Sequence, residues 1–187
     1  QVNSVSSPGN AKNVVSVGAL LHGNSSSVAS FSNKGPTDDG RLKPDISATG
    51  SSIESAAGDS NNANVIDTPS RRTTSGTSMS TPITAGGTAL LRQYFTDGFY
   101  PTGTANAGDA HKPSGTLMKA MLLNGTQTDG GFFTNQIGWG RVWLENTLYF
   151  DGDNRRFRFW EFTNENGLST GEQFNVEVTV QAGEEFR

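Results

Sequence analysis

Residues 74–86 (TSGTSMSTPITAG) hold the densest chemistry in the chain. Small residues lead into a helix-forming run, and one hydroxyl, Ser78, stands at the junction. A helix start leaves backbone N–H groups without intrahelical partners and presents the positive end of the helix dipole. An oxyanion formed beside Ser78 would meet both. Gly76 removes side-chain bulk just ahead of the hydroxyl, so a substrate backbone could approach. The reaction this suits is acyl transfer through a serine ester. Serine is a weak nucleophile at neutral pH unless a base stands next to it, and the chain has only His22 and His111. His22 follows an apolar run within a polar turn. His111 lies in the Gly/Pro-rich stretch 102–115. Both read as loop histidines. The absence of cysteine excludes thiol nucleophiles, disulfides and zinc thiolates, and two histidines are too few for a metal centre built from imidazoles.

The elements that must position Ser78 are legible around it. A helix is expected from about residue 78 to 95, with Pro82 in its first turn, where the missing N–H costs nothing. Its adjacent pair Gly86 and Gly87 is poor helix material, so another backbone should pack closely against it in a central position. A second helix, about 113–123, has an apolar stripe of Leu117, Met118, Met121 and Leu122 and ends at Asn124-Gly125. Its methionines read as core. Upstream, residues 13–20 (NVVSVGAL) suit a strand buried on both faces of a parallel sheet. Residues 28–31 and 45–48 are further strand candidates, and 58–70 reads as a surface loop. After Phe150 the pattern changes to period-2 alternation in 156–162 (RFRFWEF) and 174–180 (FNVEVTV), the mark of antiparallel strands with one wet face.

Composition sets outer limits. At 187 residues the chain is one domain, or one domain and the start of another. Fourteen basic against eighteen acidic residues, a net charge of −4, argue against a nucleic-acid-binding surface. No apolar run reaches the roughly 18 residues a transmembrane helix needs. No signal peptide opens the sequence, as expected of a mature or truncated chain.

Five motifs resemble those of the subtilisin-like serine peptidases, the subtilase family. Residues 76–82 (GTSMSTP) look like its nucleophile motif. Residues 7–19 are similar to its strand after the oxyanion loop. Residues 31–36 (FSNKGP) and 42–50 (LKPDISATG) resemble two further family stretches, with Thr49 where proline is usual. Residues 138–142 (GWGRV) match its late G-x-G-x-V. The resemblance covers about residues 5–148. It implies an α/β fold, a mostly parallel sheet with helices on both faces, and serine endopeptidase activity through a Ser-His-Asp triad. By the match Ser78 is the nucleophile, Thr77 lines the oxyanion side, and Ser6 is the small residue at the floor of the main specificity pocket. The family's Asp and His motifs, and its oxyanion Asn, would lie upstream. The chain is thus expected to be the C-terminal part of the catalytic domain (1–149), followed by the start of an appended β-sandwich (150–187). A secreted protein is implied, with polypeptide substrates and the missing N-terminal half as partners. No cofactor is required, though the family leaves room for structural calcium. Asp45 is read as bracing a turn rather than joining a weak cation site, and Asp151 and Asp153 as a linker. Asn24-Ser-Ser26 and Asn124-Gly-Thr126 fit the N-glycosylation pattern. The competing reading is a non-catalytic homologue that keeps the fold as a binding or structural subunit.

Overall fold

A computed structural model describes residues 3–23, 27–57, 70–128, 130–163, 165–180 and 182. Strands β1 (Val17–Leu20) and β2 (Ile46–Thr49) pair in parallel, with Val17 opposite Ile46 and Leu20 opposite Thr49. Both are short, apolar and almost wholly buried, as parallel strands covered on both faces must be. Residues 140–142 extend the sheet along the other edge of β2. The Ser47 N–H donates to the Gly140 carbonyl at 2.9 Å, and the Val142 N–H to the Ser47 carbonyl at 2.9 Å. Gly138 makes that approach possible. Its φ is +67°, and a Cβ there would collide with the carbonyls of Pro44 and Asp45. A second pair, β3 (Ile53–Ala56) and β4 (Arg71–Thr74), is antiparallel. The loop expected at 58–70 lies outside the described residues apart from Ser70.

The long helix α1 (Thr77–Thr96) packs on both β1 and β2, and α2 (Gly115–Asn124) packs on α1. Ile46, Leu91, Tyr94, Phe95, Leu117, Met118, Met121 and Leu122 form one buried cluster. The methionines are core, as read from their helical spacing. Ser114 caps α2 by accepting the Leu117 N–H at 3.1 Å. The helix ends at Asn124, and Gly125 follows with φ −87°. Glycine is needed there for closeness rather than for a left-handed turn, because a Cβ would strike Thr147. One helical turn, α3 (Leu144–Thr147), completes the helices among the described residues. None of them is long and apolar enough to cross a membrane.

Several expectations need correction. Pro82 lies inside α1, not in its first turn. The bond it forgoes is to the Ser78 carbonyl, four residues back. Among the described residues the glycine pair meets no other backbone. A Cβ on Gly86 would meet nothing within 4 Å, and one on Gly87 would meet the Leu144 side chain at 3.6 Å. The helix is covered on one side only. Ser80, Thr84, Gly87, Leu91 and Tyr94 face inward, while Ile83 and Leu90 remain 45% and 56% exposed. Residues 28–31 are not a strand. Val28 bridges Leu20 singly, and the Ser32 hydroxyl takes the Ala19 N–H at 2.9 Å in place of a backbone partner.

The alternation in 156–162 is real but serves a different purpose. No strand is assigned in either tail segment. Residues 157, 159 and 161 turn inward as an extended strap, and 156, 158, 160 and 162 face out. Phe157 and Phe159 stand 5.1 and 4.8 Å from Tyr100 between ring centroids, and Phe159 stands 5.4 Å from Phe95. Aromatic edges thus replace the hydrogen bonds of a sheet. At the strap's end Glu161 accepts from the Ser114 N–H at 2.8 Å and pairs with His111 Nε2 at 2.7 Å. Burial alone would raise the Glu161 pKa, but these hydrogen bonds and the facing imidazole outweigh it and hold the carboxyl below its usual range. A depressed carboxylate stabilises the fold above its unfolded pKa, roughly 4.3, and that contribution is lost as pH falls through the folded value. Acidification below about pH 4.3 is therefore expected to loosen the strap, read by pepsin cleavage beside Phe157 and Phe159. Glu161→Gln should make that loosening independent of pH; an unchanged acid transition in the variant would refute the assignment.

Candidate active site

The turn that carries Ser78 hangs from the sheet through two backbone bonds. The Gly50 N–H donates to the Leu20 carbonyl at 2.9 Å, and the Gly76 N–H donates to the Gly50 carbonyl at 2.7 Å. Gly50 thus joins the end of β1 to the residue before α1. A Cβ on Gly50 would lie 2.7 Å from Ala19 Cβ and 2.8 Å from the Gly76 carbonyl oxygen, closer than real atoms approach. Gly50→Ala is expected to push the turn away from β1, costing about 1–3 kcal/mol of stability by overpacking. A shift of about 1 Å at the reacting atom can cost on the order of 100-fold in rate. The reactivity of Ser78 in the full-length variant, read by labelling rate with a serine-directed probe, would check this; an unchanged rate would mean that Ser78 is positioned by other contacts.

The start of α1 is open. Gly76 offers no side-chain cap, and no acidic residue stands in the first turn. The Ser80 and Thr81 hydroxyls both donate back to the Thr77 carbonyl, at 3.0 and 2.9 Å, so neither competes for the N-terminal amides. The three serines of the motif differ sharply. Ser75 Oγ accepts the Ser52 N–H at 2.9 Å. Ser80 is fully buried. Ser78 is exposed and, among the described residues, makes no side-chain hydrogen bond. It is the one hydroxyl of the three free to meet an incoming carbonyl.

Ser6 and Thr77 line a common cavity of about 330 Å³, with Val15, Val17, Asn33 and Thr81 among its other walls. No charged side chain lines it. Asn33 and Thr81 were not anticipated; Thr81 lies four residues beyond Thr77 and so shares its helix face.

His111 does not reach this place. The His111 N–H donates to the Phe95 carbonyl at 2.9 Å, so His111 sits at the far end of α1. Seventeen residues at 1.5 Å each put that end about 26 Å from Ser78. His22 is exposed just after β1, and no hydrogen bond joins it to Ser78. Asp45 does brace structure. Its Oδ2 accepts from Lys43 Nζ at 2.6 Å and from the Ser16 N–H at 2.7 Å, and Lys119 Nζ stands 3.0 Å from Oδ1. Lys43 is 2% exposed. Two ammonium groups occupy the space a cation would need, so the carboxylate does not fit a calcium site. Among the described residues no three His, Asp or Glu side chains converge as metal ligands. This clasp ties β2, α2 and the lead into β1 together. Its signal in the sequence was Lys43 and Asp45 two apart, hence on one face of an extended segment. Asp153 closes a turn by accepting the Phe150 N–H at 2.8 Å. Asn24 to Ser26 lie outside the described residues.

A sequence model of the group described as the Subtilase family matches residues 1–140. The chain is 45% identical over 157 residues to the serine protease/ABC transporter B family protein tagD of Dictyostelium discoideum, covering 68% of this chain and 8% of that protein. It is 42% identical over 154 residues to the serine protease AprX of Bacillus subtilis, covering 77% of this chain and 31% of that protein. It therefore spans less than a third of either relative. Among solved structures, a protease from Pseudoalteromonas arctica aligns with a TM-score of 0.54 at 21% identity over 75% of this chain and 37% of that one. A lanthipeptide protease aligns at 0.57 with 18% identity, covering 75% and 42%. These two likenesses speak to the fold.

Proposed function

Because the chain belongs to the subtilase family, we propose that it carries the nucleophile of a serine endopeptidase and forms the C-terminal part of its catalytic domain. Ser78 Oγ attacks the peptide carbonyl. A histidine from the upstream part of the protein takes the hydroxyl proton and passes it to the leaving amine, and an upstream Asp holds that histidine in the working tautomer. The Ser78 N–H and an upstream Asn side chain hold the oxyanion. The observation that carries this reading is the contrast among the three serines, which leaves Ser78 alone exposed and unbonded at an uncapped helix start.

The uncharged cavity between Ser6 and Thr77 supports acceptance of large apolar side chains before the scissile bond. A fluorophosphonate probe applied to the full-length protein is expected to label Ser78, identified by peptide mass spectrometry. Label on Ser75 or Ser80 would displace the assignment. No label at all, in a folded sample, would favour the non-catalytic subunit.

A further inference from the structure

The loop after α2 leaves a wide groove of about 920 Å³ that the peptidase chemistry does not use. Asn124, Gln127, Thr128, Trp139 and Asn146 line it. Beside it lies an uncovered aromatic patch. Trp139 is 45% exposed and Phe133 57%, their ring centroids 5.0 Å apart, and Phe132 is 79% exposed. Amides and hydroxyls around an exposed indole form a surface suited to a sugar. A pyranose lays its C–H face on the ring, and its hydroxyls and acetamido group bond to the amides.

Asn124 also opens the acceptor pattern Asn-Gly-Thr. It is the last residue of α2, it is exposed, and its side chain makes no hydrogen bond among the described residues. The Thr126 hydroxyl points inward, its oxygen 2.9 and 2.7 Å from the Leu123 and Trp139 carbonyls, and among the described residues the asparagine stays exposed above it. Two independent observations meet at one place: an acceptor amide, and the kind of surface that its product would cover.

We infer that Asn124 is an N-glycosylation site and that the first sugar of its glycan lies in this groove against Trp139. In the transfer, Asn124 Nδ2 forms a bond to C1 of the sugar and gives up one proton. The C1–oxygen bond to a lipid-linked pyrophosphate donor breaks, and the lipid pyrophosphate leaves with the electron pair.

The test is expression of the full-length protein through a eukaryotic secretory pathway, followed by endoglycosidase trimming to a single N-acetylglucosamine. Trypsin should then release residues 120–141 carrying that one sugar. Asn124→Gln should abolish the mass increase, and Thr126→Ser, which keeps both the pattern and the inward hydroxyl, should retain it. The trimmed protein should melt at a higher temperature than Asn124→Gln, and that gain should vanish in a Trp139→Ala background. An unmodified 120–141 peptide in secreted, folded protein would overturn the inference. A modified peptide whose stabilising effect survives Trp139→Ala would overturn the groove contact. Both readouts are independent of peptidase activity, so they fail or succeed separately from the assignment of Ser78.

Discussion

Ser78→Ala in the full-length protein is expected to lower kcat by on the order of 10⁶-fold, the size of loss known for the nucleophile of subtilisin, the family's type enzyme. KM should move little. On the proposed reading the hydroxyl contributes only once the carbonyl is bound, whereas binding would rest on the cavity lined by Ser6 and Thr77. The residual rate should still exceed the uncatalysed one, since the amides at the start of α1 remain to polarise the carbonyl. Two controls separate chemistry from folding. Ser75→Ala loses the bond from the Ser52 N–H, and Ser80→Ala loses a bond to the Thr77 carbonyl. Each should cost about 1 kcal/mol of stability and leave turnover within an order of magnitude. Hydrolysis of a chromogenic peptide checks all three. If Ser78→Ala keeps more than a tenth of the wild-type kcat, Ser78 is not the nucleophile.

How much of this was legible beforehand depended on the range of the forces involved. Local signals transferred well. The helix expected at 78–95 is found at Thr77–Thr96, and that expected at 113–123 at Gly115–Asn124. Caps and apolar stripes act within a few residues. Contacts between distant segments did not transfer. Nothing near Gly50 announces that it touches both Ala19 and Gly76, because that depends on where three separate segments cross. The period in 156–162 gave an extended run with one wet face, yet not what its other face meets. Alternation reports an extended backbone with one covered side, and a layer of aromatic rings covers that side as well as a sheet does. The glycine pair in α1 is a related case. Small size permits close packing without demanding it, and among the described residues nothing lies within 4 Å of a Cβ placed on Gly86.

These 187 residues alone are expected to show no appreciable peptidase activity and to be poorly soluble or partly folded. The first reason is the base. His111 is about 26 Å from Ser78 along α1 and is held by Glu161, while His22 makes no bond to Ser78. The second is the oxyanion hole, whose side-chain donor is, on the proposed reading, an upstream Asn. Losing the side-chain donor alone costs about 10²–10³ in rate, a figure measured on subtilisin. The third is burial. The outer face of α1 leaves Ile83 and Leu90 about half exposed, and Leu21 and Phe31 near the end of β1 are 42% and 46% exposed. Among the described residues the other edge of β1 carries a single bridge, from Leu20 to Val28, and a sparsely paired apolar edge invites aggregation. The solved structures of this fold contain more than twice as much chain as the part matched here, enough to cover that helix face and that edge. Adding the upstream part of the protein in trans should therefore restore both solubility and activity, since the same docking buries the apolar face and delivers the histidine. Residues 1–187 would be expressed alone and with the upstream part, and assayed against a chromogenic peptide ester with Ser78→Ala as the control. Turnover clearly above that control from a monodisperse sample of 1–187 alone would mean that a base resides within this chain, and the division of the site argued here would be wrong.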